Sequence, residues 1–307
     1  MRAATRCIAW TVARSSTEPL GGAWNVAQVR ACCSHERPAQ GLAERLGLEE
    51  ARGEDGGMRL TVLGGCGAWP AAGQACSGYL VEHDGFRLLL DPGYATLPRL
   101  LQHTAAEAVD AVLVSHGHPD HCADLHPLLR ARTLGNQDDP PPAVPVHALP
   151  GATDAVLALD GSGTLQAAYV LREFSAGDHL EIGPFGIDTW LLPHFVPNAG
   201  LRLTAAGRVL AYTGDTGPSP ELVELARDAE VFLAEATYPE QVPTHSARYL
   251  SSALQAGEHA ARAGAGRLLL THLWPGTPAE AALAAARRAG PGDVAVARGG
   301  LTVDIDG

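Results

Sequence analysis

Lysine is absent from this chain: all 22 basic residues are arginine, against 34 acidic ones, for a formal net charge of −12. That balance opposes long-range attraction of nucleic acid, although it does not forbid a local basic patch. Aromatic residues are few, at 5%, so a core must be built from leucine, valine and alanine. No apolar run approaches the ~18 residues that a membrane-spanning helix needs, and the chain reads as soluble and cytoplasmic. Cysteine is scarce and has no C-x-x-C spacing: of six, Cys7, Cys32 and Cys33 lie in the first 57 residues, and Cys66, Cys76 and Cys122 read as free buried thiols.

A length of 307 residues allows one large domain or two smaller ones. Residues 1–57 read as a poorly ordered N-terminal extension. Its apolar stretch Cys7–Ala13 is short, no small-residue cleavage site follows, and Gly47–Gly57 is a charged, glycine-rich linker. From Met58 to Gly307 strands and helices alternate, which predicts a mixed α/β domain. Strand-like runs extend from Leu60–Leu63 to Val294–Ala297. Helical patterns include Pro119–Arg132, Ser251–Ala263 and Pro278–Ala289.

What the chain does have is Ser115-His116-Gly117-His118-Pro119-Asp120-His121, at the end of the apolar run Asp110–Val114. Three imidazoles and a carboxylate within six positions of a turn can serve two cations, the side chains two apart on one, Asp120 and His121 on the other. Pro119 suits the first turn of a helix, where no amide hydrogen is required. Imidazole with carboxylate suits zinc, with manganese and iron as alternatives. His194, Asp215 and His272 each follow an apolar strand-like run (Trp190–Leu192, Val209–Tyr212, Arg267–Leu270). Taken singly, each is also explained as a loop or turn residue.

This order of ligands resembles the metallo-β-lactamase superfamily. The resemblance implies an αββα sandwich with the metals at one edge between the sheets. It implies two divalent ions, His116, His118 and His194 binding the first, Asp120, His121 and His272 the second, with Asp215 bridging. Two such ions ~3.5–4 Å apart hold a shared hydroxide and neutralise charge on an attacked phosphoryl or acyl centre. Asp120 is also a candidate to orient that hydroxide. Asp91, in Leu88-Leu-Leu-Asp-Pro-Gly93, fits either a buttress for the ligand turn or a plain strand-ending turn.

His118 fills the position held by glutamate in iron-based members, which favours hydrolysis. Leu63–Pro70, Asn198–Leu203 and Thr213–Gly217 look like the ribonuclease Z-like branch, and within it the actinobacterial cyclic-nucleotide phosphodiesterases. Two departures matter. Only twenty residues separate His194 from Asp215, so there is no tRNA arm. The histidines of that branch's outer sphere are replaced in Ala234-Glu235-Ala236-Thr237 and Tyr249-Leu250-Ser251, so its proton donor does not carry over. Tyr249 and His245 are candidate donors and Glu235 a further catalytic candidate, with a strand-end role as the plain alternative. Trp69, Trp274 and Arg202 are candidates to line a pocket, for a base and a phosphate respectively.

The expected function is hydrolysis of a small phosphodiester, a 3′,5′-cyclic nucleotide. The alternatives are a lactone or thioester hydrolase on the same metals, or a non-catalytic regulatory module. The expected partner is a small-molecule substrate, with no membrane and with a homodimer left open.

Overall fold

The computed structural model describes residues 57–135, 137–160 and 163–306. Except for Gly57, the extension expected over residues 1–57 lies outside the described residues, as do Cys7, Cys32 and Cys33. Two seven-stranded sheets carry the fold. The first is ordered β14-β1-β2-β3-β4-β5-β6, from β1 (Met58–Gly64), β2 (Gly78–His83), β3 (Phe86–Leu90), β4 (Ala111–Val114), β5 (Val144–Ala148), β6 (Tyr169–Glu173) and β14 (Thr302–Ile305). The second is ordered β13-β12-β11-β10-β9-β8-β7, from β7 (His179–Ile182), β8 (Phe185–Leu192), β9 (Asn198–Ala205), β10 (Arg208–Tyr212), β11 (Val231–Glu235), β12 (Arg267–Thr271) and β13 (Asp293–Val296).

Each sheet is antiparallel in one half and parallel in the other. Pairing is antiparallel through β1, β2 and β3 and parallel from β3 to β6; it is antiparallel from β7 to β10 and parallel from β10 to β13. Parallel neighbours need crossovers, and these carry the helices. Alternation along the strands sorts side chains to two faces. Leu88, Leu90, Phe185, Leu203 and Leu269 meet in a central core between the sheets. Leu89, Val112 and Val146 pack outward against Leu100, Leu125, Leu128 and Leu129. Leu268 and Leu270 pack outward against Ala256, Ala260, Ala282 and Ala286. These three apolar layers make the αββα sandwich.

Three strands, β6, β7 and β14, fall in segments where the sequence pattern predicts none. All three are sheet edges, and their mixed burial erases the apolar run that marks an inner strand. The single helix expected over Pro119–Arg132 is two: α2 (Pro119–Cys122) and α3 (Leu125–Leu134), α1 being Leu97–Leu100. The break has a local cause. The Asp124 amide donates to Pro92 O at 2.8 Å rather than back along the helix, and Asp124 Oδ2 accepts from Leu97 N at 2.8 Å. Farther on, α4 (Asp154–Leu157), α5 (Glu221–Leu225), α6 (Ala253–Ala263) and α7 (Ala279–Arg288) follow. A Ser252–Gln255 capping box starts α6 and left-handed Gly264 ends it.

Candidate metal centre

The ends of parallel strands build the site, as expected where loops leave the carboxyl edge of a sheet. Asp91 follows β3, Ser115 follows β4, Asp215 follows β10 and His272 follows β12; Glu235 ends β11. After β4 the chain runs extended through His118, the N-cap of α2, with Pro119 in the first turn. Asp120 and His121 thus fall in that turn, as predicted. Gly93 is required opposite them, because a Cβ there would lie 1.9 Å from Asp120 O.

All seven expected ligand residues converge in two groups that share Asp215: His116, His118 and His194 with Asp215, and Asp120, His121 and His272 with Asp215. In the first, His118 Nδ1 lies 3.2 Å from His116 Nε2 and 3.0 Å from His194 Nε2. Asp215 Oδ2 is 3.7 Å from both Nε2 atoms. In the second, His272 Nε2 lies 3.2 Å from Asp120 Oδ2 and 3.0 Å from Asp215 Oδ2, and His121 Nε2 lies 3.1 Å from Asp215 Oδ1. Donor atoms about 3.3 Å apart are what a tetrahedral ion with bonds of ~2.0–2.1 Å separates.

The donor set fits divalent cations on two further grounds. His121 Nε2 and Asp215 Oδ1 lie buried 3.1 Å apart as an ion pair with no well-aligned hydrogen bond to either atom, an arrangement that a cation between them would satisfy. Two buried carboxylates also call for positive charge between them. Burial opposes ionisation of Asp215, yet His121, His272 and His116 hold its carboxyl well below the usual range. Burial likewise opposes charge on His121, but Asp215 and Asp91 outweigh it and raise its imidazole well above its ordinary value; His272 is also raised, by Asp215 and Asp120 against burial. Burial wins at His116, His118 and His194, whose imidazoles are shifted toward the neutral form a metal ligand needs.

Behind the cluster, ring nitrogens of three of its histidines are fixed. His121 Nδ1 is 2.7 Å from Asp91 Oδ2, His194 Nδ1 is 2.9 Å from Tyr249 O, and His272 Nδ1 is 2.9 Å from Thr237 Oγ1. Asp91 is a hub. It also accepts from Ser115 N at 2.7 Å, Ser115 Oγ at 2.6 Å and Tyr212 Oη at 2.7 Å. Of its two sequence readings, the buttress is therefore the one the geometry supports. Both Asp91 (φ 46°) and His272 (φ 59°) have left-handed backbones, uncommon outside glycine and found where surrounding structure over-determines them. The Ala68 amide donates to Asp120 Oδ2 at 2.8 Å.

Glu235 is buried beside the centre but its oxygens are taken. Oε1 accepts from Thr237 Oγ1 at 2.6 Å and Ser251 N at 3.1 Å, and Oε2 accepts from Thr216 N. Burial, then the charge of Asp215, pushes its carboxyl up to about 8. Tyr249 is half-buried, its ring 4.6 Å from Phe195, and His245 is exposed. Trp69 and Trp274 form a pair 5.7 Å apart. Arg202 does not line the site. From β9 it donates to Leu225 O and Arg227 O, satisfying carbonyls at the end of α5. Sequence reasoning missed Thr237 and Tyr212, although the former sits in the quoted Ala234–Thr237 segment and the latter just before Thr213–Gly217. Cys66, Cys76 and Cys122 are buried free thiols, as expected.

A two-sheet sandwich with a shared His/Asp cluster at its edge defines a metal-dependent hydrolase, and a match to the Beta-lactamase superfamily domain over residues 86–273 agrees. The chain belongs to the metallo-β-lactamase superfamily, in its ribonuclease Z-like branch. It is 33% identical over 217 residues to a probable metallo-hydrolase, YhfI of Bacillus subtilis, covering 70% of this chain and 87% of that one. The crystal structure of YhfI superposes with a TM-score of 0.73 at 30% identity, over 81% of this chain and 100% of YhfI. A ribonuclease Z of Kineococcus radiotolerans is 29% identical over 275 residues, 75% of this chain and 88% of the relative. No helix among the described residues is long and apolar enough to cross a membrane.

Proposed function

We propose that this chain hydrolyses a small phosphodiester, a 3′,5′-cyclic nucleotide, with two divalent ions. The observation that carries this reading is the complete seven-residue cluster joined to a short β9–β10 hairpin, which turns through Ala206 and Gly207. The cluster supplies phosphoryl chemistry, and the hairpin leaves no arm between His194 and Asp215 for gripping a large polyanion. The net charge of −12 points the same way. A ribonuclease among its relatives supports a phosphodiester over a lactone or thioester.

His116, His118, His194 and Asp215 would hold one ion and Asp120, His121, His272 and Asp215 the other. Zinc suits these donors best, and manganese or iron is compatible. Bound there, such ions lower the pKa of water and neutralise negative charge on the phosphate oxygens. The protein's part is orientation. Asp91 fixes the His121 ring, the Tyr249 carbonyl fixes His194, and Thr237, itself held by Glu235, fixes His272. Glu235 is then a positioning residue. It ties the Thr216 and Ser251 amides to the strand that ends beside the ligands.

The departing alkoxide needs a proton, and Tyr249 is the donor we propose. Its backbone is pinned to His194, and Ser251 Oγ ties the same loop to Thr216 O at 2.7 Å. A phenolic hydroxyl can donate a hydrogen bond. Tyr249→Phe is expected to lower kcat by ~10²-fold for a poor alkoxide leaving group, and far less for p-nitrophenolate, which needs little protonation. Equal loss on both would make Tyr249 a binding or loop residue. An unchanged rate with a collapse in His245→Ala would move the role to His245.

Substrate class is tested with the purified full chain. Turnover of 3′,5′-cyclic AMP and bis(p-nitrophenyl) phosphate, with no cleavage of a tRNA precursor, is the expected result. Activity confined to an acyl-ester panel, or efficient tRNA cleavage without cyclic AMP turnover, would overturn it.

A further inference from the structure

Three aromatic side chains stand beside the centre, and the chemistry above uses none of them. Trp274 lies between the other two, its ring centroid 5.7 Å from Trp69 at 50° and 5.1 Å from Tyr238 at 53°. Each is tethered to the Asp120/His272 side. Trp69 follows Ala68, whose amide holds Asp120 Oδ2; Tyr238 follows Thr237, which is bonded to His272; and Trp274 is two residues past His272. Gly67 brings this loop close, since a Cβ there would lie 2.8 Å from His272 Nδ1.

Trp69 is 48% exposed, and Trp274 and Tyr238 are half-buried beside it. Exposed apolar surface gathered beside a polar centre marks a binding face better than scattered apolar residues do. The rings are tilted against one another rather than stacked face to face.

We infer that Trp69 and Trp274, backed by Tyr238, are a stacking platform for the planar heteroaromatic base of the substrate, setting it on the Asp120/His272 side of the metals. This rests on the cyclic-nucleotide reading. It adds a specificity element, because stacking favours substrates with a base over equally charged ones without, and tolerates different bases.

The test compares metal-loaded full-length wild type, Trp69→Ala and Trp69→Phe on 3′,5′-cyclic AMP and on a ribose 3′,5′-cyclic phosphate carrying methoxy in place of the base. Trp69→Ala should raise KM for cyclic AMP about tenfold or more, with kcat and the rate on the baseless substrate within about twofold. Trp69→Phe should recover most of the loss. Equal loss on both substrates, or no loss on either, would overturn the platform. Titration with 5′-AMP decides it independently of turnover: tryptophan emission should be quenched in wild type and substantially less in Trp69→Ala. If wild type hydrolyses neither substrate yet shows that quenching, the phosphodiester reading fails and the platform stands. Absence of quenching refutes the platform whatever the activity.

Discussion

Asp215→Ala is expected to abolish hydrolysis, by at least about 10³-fold, and to lower the metal content of the purified protein. Asp215 is the one side chain common to both ligand groups, with carboxylate oxygens 3.0 to 3.7 Å from the ring nitrogens of His116, His121, His194 and His272. On the proposed two-ion reading, its removal would take a ligand from each ion at once. It also leaves His121 and His272 without the buried negative charge that favours their protonated forms. Unfolding is the competing explanation for lost activity, so the rate is read beside circular dichroism and elemental analysis. A folded Asp215→Ala protein that kept two ions and a tenth of the wild-type rate would show that Asp215 is not shared.

Asp91→Asn is expected to weaken metal affinity by 10- to 100-fold, the usual cost of altering a group that orients a ligand, and to destabilise the fold by ~1–3 kcal/mol. Asparagine tolerates the left-handed backbone at this position, so strain is not the cause. The loss arises from hydrogen bonding. Four protein donors face Asp91 from Ser115 N, Ser115 Oγ, His121 Nδ1 and Tyr212 Oη. An amide presents NH₂ where one of its acceptor oxygens stands, leaving buried donors unpaired. Competitive chelation and thermal melting measure the two effects. An Asp91→Asn protein with wild-type metal affinity would reduce Asp91 to a turn residue.

The candidate ligand cluster was legible because its pattern is local: four of the seven residues lie within six positions, and the other three follow strands. The supports were less legible because the sandwich assembles them across sequence. Tyr212 reaches Asp91 from the other sheet, 121 positions away, and Trp69 meets Trp274 through loops leaving different sheets. Arg202 was misplaced for a related reason. Whether a residue in an inner strand faces the site or a helix end is set by register, and its pairing opposite Ala211 and Asp188 cannot be read from a lone arginine between leucines. The edge strands β6, β7 and β14 escaped because half-solvated strands lose the apolar signature. The break after Cys122 depends on a long-range bond to Pro92 O, which helix periodicity does not encode.

The proposed hydrolysis requires two metal ions held by this one set of side chains. Elemental analysis of the gently purified full chain, on protein whose concentration is fixed by amino-acid analysis, tests it most directly. Two transition-metal ions per chain is the predicted result, and one ion or none in active protein would contradict it.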